Sequence, residues 1–271
     1  MRRSVKAKLN IWLAIIVGAL LLLAAAGIVL NILGFRYIVA DNGTKFYGKT
    51  SDGIVVSGTL VFPDGTKAKI DRTLGTIEYA NGDSYYGEFS GFYRHGNGKM
   101  TYVGGDVYEG SFVNDVIEGK GVYTTAFGDV YDGDFVDGRK EGEGTYTWSD
   151  GSSYSGGWLG NKKHGNGSYK GADGTTYTGE YADDMKNGTG TATYPEGDKY
   201  TGEFVNDMRE GTGTYVYANG ETYVGEFKDD VKNGKGIYTW PAPNQRKYEG
   251  TFRDGVIYIE TEEEAEAETE E

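Results

Sequence analysis

A motif of 23 residues recurs along most of the chain and restricts the folds that the chain can adopt. The motif begins with Tyr-x-Gly-x-aromatic, and its starts are 23 residues apart through seven copies and 25 residues apart before the last one. The tyrosine and glycine of successive copies are Tyr85 and Gly87, Tyr108 and Gly110, Tyr131 and Gly133, Tyr154 and Gly156, Tyr177 and Gly179, Tyr200 and Gly202, Tyr223 and Gly225, and Tyr248 and Gly250. A fixed period of this length predicts a repeat architecture in which each unit packs on its neighbours.

Each repeat has the residue alternation of a short β-hairpin. In the copy that starts at Tyr108, a period of two places Tyr108, Gly110 and Phe112 on one face of a strand. A polar turn and a Gly-x-Gly pair follow, here Gly119 and Gly121, and they predict the second strand. Because glycine weakens a strand, its recurrence on the aromatic side predicts that tyrosine or phenylalanine rings lie flat over these positions. The predicted fold is an all-β array of stacked hairpins.

An apolar segment, residues 11–33, precedes the repeats. Its 23 residues carry no charge, and Asn31 is the one polar side chain. As a helix it would be about 34 Å long, enough to span a membrane, and it exceeds the apolar core of a cleaved signal peptide, which is the alternative. The basic residues within 1–10 predict a cytoplasmic N-terminus and an extracytoplasmic repeat array. We therefore expect a single-pass signal anchor in the cell membrane.

The other segments are assigned by their likeness to the repeat. Residues 34–84 contain degenerate copies and are expected to cap the array at its N-terminal end. Residues 85–259 contain seven full repeats and a final half repeat. Residues 260–271 include eight glutamates and are predicted to be a disordered acidic tail.

Charge and cysteine content exclude several classes of function. The net charge is −14, and it is still −10 for residues 9–259, once four basic side chains before them and eight glutamates after them are set aside. An acidic surface repels nucleic acid and anionic lipid headgroups, so neither is expected to bind the repeats. The absence of cysteine excludes disulfides, thiolate zinc sites and cysteine nucleophiles.

The repeat resembles the MORN repeat (membrane occupation and recognition nexus). The likeness covers residues 85–259 and lies in Tyr-x-Gly-x-Trp/Phe, a Gly-x-Gly pair preceded by His, Glu or Asn, and a closing Asp-Gly or Asn-Gly. His95 and His164 stand at the family's frequent histidine position, whereas phenylalanine usually replaces its tryptophan. The resemblance implies an elongated, curved antiparallel sheet that serves as a scaffold, a dimerisation element or a membrane-proximal binder. Catalytic members carry a separate domain, for which residues 34–84 are too few.

The sequence predicts no catalytic, cofactor or metal site. His95 and His164 are three repeats apart, which in a stack of strands separates them by about 29 Å, so they cannot form one site. The Gly-x-Gly pairs precede strands rather than helices, unlike the glycines of phosphate-binding loops. Acidic pairs such as Asp132 and Asp134 supply too few convergent oxygens for a calcium loop. We therefore expect that the protein is not an enzyme.

Aromatic residues of the second strands and of the turns after them are the candidate binding surface. They pack between repeats, and any that lie on an open face can also contact a partner's apolar side chains or stack on sugar rings. The candidates are Tyr102, Tyr123, Tyr146, Trp148, Tyr169, Tyr194, Tyr215, Tyr217, Tyr238 and Trp240. The first hypothesis is a membrane-anchored scaffold for an unknown protein partner, and the alternative is a cell-wall glycan-binding module. A homodimer is also considered, because open sheet edges invite pairing.

Overall fold

The computed structural model describes residues 2–243 and 245–259, which form one α-helix followed by 21 β-strands. They divide into two compact units, Met1–Val116 and Ile117–Glu271. In each unit the strands form an antiparallel sheet of hairpins, so the predicted fold class is confirmed. The predicted acidic tail, residues 260–271, lies outside the described residues.

Helix α1 spans Arg2–Ile32 and begins nine residues before the predicted start at residue 11. The basic N-terminal residues continue the helix because arginine, lysine and alanine are all good helix formers. The helix ends in a glycine cap: the Gly34 N–H donates to the Asn31 carbonyl at 3.1 Å, with Gly34 at a φ of +83°. Within it, Trp12–Ile32 is long and apolar enough to cross a membrane, and a signal sequence would meet the same criterion.

The first unit contains the N-terminal strands, each of which pairs with the next. The strands are β1 (Phe35–Val39), β2 (Lys45–Ser51), β3 (Ile54–Val61), β4 (Lys67–Asp71), β5 (Thr76–Tyr79), β6 (Ser84–Ser90), β7 (Tyr93–Thr101) and β8 (Val107–Val113). Phe46, Leu60, Ile70 and Ile77 form a buried aliphatic and aromatic cluster over the degenerate segment. That segment therefore continues the sheet, although it lacks the clean 23-residue register.

The second unit repeats one hairpin. Its strands are β9 (Val116–Thr124), β10 (Val130–Val136), β11 (Arg139–Thr147), β12 (Ser153–Leu159), β13 (Lys162–Lys170), β14 (Thr176–Ala182), β15 (Met185–Thr193), β16 (Lys199–Val205), β17 (Met208–Val216), β18 (Thr222–Lys228), β19 (Val231–Thr239), β20 (Lys247–Arg253) and β21 (Val256–Tyr258). Each strand pairs antiparallel with the next one. A two-residue turn joins the strands of a hairpin, as at Asp183 and Asp184, which have φ values of 49° and 74°. Such left-handed pairs suit Asp and Asn, which explains the polar turns of the sequence.

The core of the second unit is a row of buried tyrosines. The Tyr177 ring packs edge-to-face on Tyr181 of its own hairpin at 5.1 Å and on Phe204 of the next hairpin at 5.2 Å, measured between ring centroids. The same ring lies over Gly179 and Gly190, where any Cβ would collide with it. Its hydroxyl donates to the Glu180 carbonyl at 3.0 Å. The prediction that rings lie over the repeat glycines is therefore confirmed.

Candidate binding surface

The aromatic face is the side of the second unit's sheet that carries the repeat tyrosines, and it also carries a row of cations. The cation row consists of one basic residue in the second strand of five successive hairpins, two positions before the first glycine of Gly-x-Gly. Pairing within the hairpin puts that residue on the aromatic face, as Lys186 pairs with Tyr181. Its members are Lys140, Lys163, Lys186, Arg209 and Lys232, and Arg94 has the same position in the first unit.

Each cation of the row lies against rings of two successive hairpins. The Lys186 Nζ is 5.4 Å from the Tyr177 ring centroid and 5.9 Å from that of Phe204. The Lys140 Nζ approaches Trp158 and Tyr146 more closely, at 4.5 and 4.6 Å. Cation–π attraction therefore helps to hold the row in place, and at Arg209 an ion pair with Asp230 at 2.9 Å adds to it.

A clamp between hairpins fixes the backbone under the cation row. The Lys163 N–H donates to the Asp184 Oδ1 at 2.8 Å, and the Asp184 N–H donates to the Lys163 carbonyl at 3.1 Å. The same pair of bonds joins Arg94 with Asp115, Lys140 with Asn161, Lys186 with Asp207, and Arg209 with Asp230. The Asp and Asn side chains of the turns thus accept from backbone amides, which explains why these residues recur 21 residues after the cations.

Burial changes the ionisation of the row. It lowers the pKa of Lys140, Lys163 and Lys232, because the charged ammonium loses solvation. At Lys163 the neighbouring ammonium of Lys186 lowers the pKa further, whereas the carboxylates of Asp184 and Asp207 act in the opposite direction. The charge of one member of the row therefore affects the pKa of its neighbour.

The ten aromatic residues predicted as a binding surface lie on strands or turns of the two units. Tyr102 is in the first unit and the other nine are in the second; Tyr215 is buried and the rest are half-buried. Ring contacts bring them together in two clusters: Tyr146, Trp148 and Tyr169 form one, and Tyr194, Tyr215, Tyr217, Tyr238 and Trp240 form the other. Both clusters border the cation row, since Lys140 contacts the Tyr146 ring and Arg209 contacts the Tyr215 ring.

Carboxylates anchor several of these rings by their hydroxyl groups. Tyr146 donates to Asp129 at 3.0 Å, Tyr215 to Asp198 at 2.7 Å and Tyr238 to Glu221 at 2.8 Å, and the acceptor is in each case 17 residues earlier. Sequence reasoning missed both this anchor and the cation row. The sequence signal for the cation row was a basic residue at the same place in most repeats, outside the aromatic and glycine positions that define the motif.

The opposite face of the second unit has a different chemistry. Hydroxyl groups of neighbouring strands bond to each other there, at 3.0 to 3.2 Å, in the pairs Thr145–Ser155, Ser168–Thr178 and Thr191–Thr201. Glutamates of the same face accept bonds from the next strand, as Glu203 does from the amide and hydroxyl of Thr212. The two faces thus differ: one offers rings and cations, the other hydroxyls and carboxylates.

Over residues 2–243 and 245–259, no group of three or more His, Cys, Asp or Glu side chains is placed to hold a metal ion. The two histidines occupy equivalent strands, His95 in β7 and His164 in β13. The His95 Nδ1 is buried without a hydrogen-bond partner, whereas His164 is exposed.

Comparison with known proteins agrees with the repeat pattern. The family model of the MORN repeat matches residues 51–67, 85–107, 108–130, 131–153, 154–176, 177–199, 200–222 and 223–242. A search of curated proteins found no match. Among solved structures, the chain is similar to a mutant of the TCP10 domain of Danio rerio CPAP, with 14% identity, coverage of 80% of this chain and 99% of that chain, and a TM-score of 0.38. The TCP10c domain of Drosophila melanogaster Sas-4 is 17% identical over 80% of this chain and 99% of that chain, with a TM-score of 0.26.

Proposed function

The chain belongs to the MORN repeat family, and we propose on that premise that it is a non-catalytic scaffold that binds a protein partner. The observation that carries the proposal is the aromatic face of the second unit, where half-buried rings alternate with the cation row. Tyrosine, tryptophan and arginine are enriched at protein interfaces, because they combine a large apolar area with a polar group. The opposite face offers fewer free polar groups to a partner, because many of its hydroxyls and carboxylates already form hydrogen bonds within the sheet.

The proposal includes attachment to a membrane. The apolar segment Trp12–Ile32 serves as a single-pass anchor, with the N-terminus in the cytoplasm and the repeats on the extracytoplasmic side. Support comes from the four basic residues within 1–10, since positive residues are retained on the cytoplasmic side. Protease treatment of intact cells tests the orientation, because it should cleave a tag at the C-terminus. A tag that resists cleavage until the cells are opened contradicts the orientation, and a mature chain that starts after residue 33 contradicts the anchor.

Site-specific photo-crosslinking in cells tests the scaffold function. A photoreactive phenylalanine analogue replaces Trp240 on the aromatic face or, as the matched control, Thr214 on the opposite face of a neighbouring strand; both positions are half-buried. We expect discrete protein adducts from position 240 and few from position 214. Equal yields from both positions, or no protein adduct from either, would contradict the proposal.

A sedimentation experiment separates the scaffold from the glycan-binding alternative. Full-length protein in detergent is sedimented with insoluble cell-wall glycan, and Tyr217→Ala and Glu249→Ala variants are compared. A protein scaffold should show no retention that depends on Tyr217. Retention that the tyrosine substitution abolishes and the glutamate substitution preserves would favour glycan binding instead.

A further inference from the structure

The second unit breaks its own aromatic pattern at three places, Thr125, Gly171 and Ala192. Gly171 stands where the equivalent turns of other repeats carry Trp148, Tyr194, Tyr217 and Trp240, with Thr125 as a further exception. Ala192 stands where the other second strands of this unit carry Tyr123, Tyr146, Tyr169, Tyr215 and Tyr238. The acidic anchor of these rings is also replaced: Ser152 and Thr175 occupy the places of Asp129, Asp198 and Glu221. Two rings and two carboxylates are therefore missing from one part of the aromatic face.

A cavity of about 410 Å³ lies next to these positions: its lining includes Tyr169, two residues before Gly171, and Tyr177, which pairs with Ala192. Elsewhere on the face, the Tyr215 ring lies between Arg209 and Asp198. The counterparts of these two residues, one repeat earlier, are Lys186 and Thr175, and both line the cavity. Its other walls include the rings of Trp148 and Tyr169. The volume is in the range of pockets that enclose small ligands or a few side chains.

The cavity contains two ammonium groups on aromatic walls. The Lys163 Nζ is 5.1 Å from the Tyr181 centroid, and the Lys186 Nζ is 5.4 Å from the Tyr177 centroid. The two carboxylates in the lining are already bound: Asp150 accepts from the amide and hydroxyl of Ser152, at 2.8 and 2.6 Å, and Asp207 accepts from the Lys186 amide at 2.9 Å. The cavity therefore presents cations and rings, although the chain as a whole is acidic.

We propose that this cavity is a pocket for a carboxylate-bearing segment of a partner protein, in which an aspartate or glutamate adjoins an aromatic or aliphatic residue. The proposal rests on the scaffold function and names the chemistry of its partner. The carboxylate would lie between the Lys163 and Lys186 ammonium groups, and the apolar neighbour would cover the Trp148 and Tyr169 rings. A charged hydrogen bond to a partly desolvated ammonium is stronger than one in water.

An acidic sugar fits the same cations less well. Sugar recognition needs several free hydrogen-bond donors and acceptors, but three hydroxyl groups of the lining already have acceptors within the chain. The Thr175 hydroxyl donates to Asp173 at 2.9 Å, the Ser152 hydroxyl donates to Asp150, and the Tyr177 hydroxyl donates to the Glu180 carbonyl at 3.0 Å. A ligand with an apolar body and one carboxylate matches the two ammonium groups and the aromatic rings of the cavity.

The test uses the full-length chain in detergent micelles and three probes. The first is a synthetic peptide of alternating glutamate and phenylalanine, the second replaces glutamate with glutamine, and the third is an oligogalacturonate. We expect the glutamate peptide to bind and the glutamine peptide to bind about tenfold more weakly or worse, since hydrogen bonds to charged groups are the stronger ones. Stronger binding of the oligogalacturonate than of the glutamate peptide would replace the proposal with an acidic glycan site.

Two variants locate the binding. Gly171→Trp with Ala192→Tyr restores the pattern of the other repeats and fills the cavity, and it should abolish binding of the glutamate peptide. The backbone accepts the substitution, because Gly171 has no positive φ and Trp148 occupies the equivalent turn, but the Asp173 carboxylate must move, since a Cβ at Gly171 would lie 2.5 Å from its Oδ1. Lys163→Gln with Lys186→Gln should weaken binding about tenfold or more. The control is Lys170→Gln, an exposed lysine of the same strand as Lys163 that lies on the opposite face, which should leave binding unchanged.

The outcomes distinguish the pocket from the scaffold. Thermal unfolding of the filled variant shows whether it folds, and we expect a melting temperature at least equal to that of the parent. Peptide binding that survives in the folded, filled variant overturns the pocket. Loss of peptide binding with Lys170→Gln, to the same extent as with the pocket lysines, also overturns it. Adducts from position 240 without any peptide binding would leave the scaffold function intact and remove the pocket.

Discussion

In each repeat of the second unit, the buried tyrosine ring takes the space that side chains would occupy at two glycines. At Gly213 a Cβ would lie far inside van der Waals contact with the Tyr200 ring, and Gly213 has no positive φ that would itself require glycine. The requirement for glycine is therefore steric. It follows from the ring above the position and not from the conformation of the backbone.

Gly213→Ala should destabilise the second unit by about 1–3 kcal/mol, because the added methyl group displaces the Tyr200 ring from the sheet. Urea unfolding of the full-length chain in detergent measures the free energy of unfolding. The control is Gly104→Ala, where the new Cβ meets nothing within 4 Å and the change should stay within about 0.5 kcal/mol. Equal effects of the two substitutions would mean that the ring does not enforce the glycine.

The same tyrosines should make the sheet sensitive to alkaline pH. Burial raises the pKa of Tyr154, Tyr177, Tyr200 and Tyr223 to about 12, from an ordinary value of 10.0. Because the folded pKa is the higher one, the stabilisation is complete below pH 10.0 and is lost as the pH rises towards 12. Melting temperatures across this interval should fall steadily, and Tyr200→Phe should make the fall shallower. A melting temperature that stays level up to pH 12 would contradict the burial of these hydroxyls.

At the scale of the hairpin, stability depends on the clamp between one turn and the preceding repeat. Asp183 and Asp184 form the same turn, both with positive φ, but they have different partners. The Asp184 side chain accepts from the Lys163 amide, whereas Asp183 makes an ion pair with Lys162 at 2.9 Å on the surface. The two adjacent aspartates therefore separate the effect of the clamp from that of the turn conformation.

Asp184→Ala should destabilise the chain by about 1–3 kcal/mol, because it leaves the Lys163 amide without its acceptor. Asp183→Ala should destabilise the chain by at least about 1 kcal/mol less than Asp184→Ala does. A surface ion pair contributes little, and the cost of a positive φ is common to both variants. Chemical denaturation of the two single variants measures the difference. If Asp183→Ala proves the more harmful, the clamp is not what joins the repeats.

The strands and turns could be predicted from the sequence, whereas the contacts between different hairpins could not. Alternation alone placed Tyr177 and Gly179 on one face, and the polar turns such as Asn114–Asp115 were predicted because Asn and Asp accept positive φ. The contact of Lys163 with Asp184 was not predicted, because it depends on the register between strands of different hairpins. The cavity near Gly171 and Ala192 was missed for a related reason. The positions of aromatic residues in the sequence show where rings are present, whereas this pocket lies where two repeats lack an aromatic residue.

At the scale of the whole molecule, a repeat sheet derives its stability from interfaces between neighbouring hairpins. Each of the hairpins from β10–β11 to β16–β17 offers the same tyrosine, glycine pair and clamp to the next one. Removal of one complete repeat should therefore rejoin equivalent surfaces. Removal of part of a repeat should instead bring a first strand against a turn and invert which side chains face the core.

Deletion of residues 177–199, one full repeat, should leave a chain that folds, because Tyr200 then takes the place of Tyr177 in the register. Deletion of residues 177–187, about half a repeat, should prevent the cooperative unfolding of the second unit. Circular dichroism during urea denaturation compares the two, and the full deletion should lower the slope of unfolding free energy against urea in proportion to the surface removed. The full deletion also removes Lys186 and Ala192, so it should fold without binding the glutamate and phenylalanine peptide. Equal tolerance of both deletions would mean that the 23-residue register does not govern assembly of the sheet.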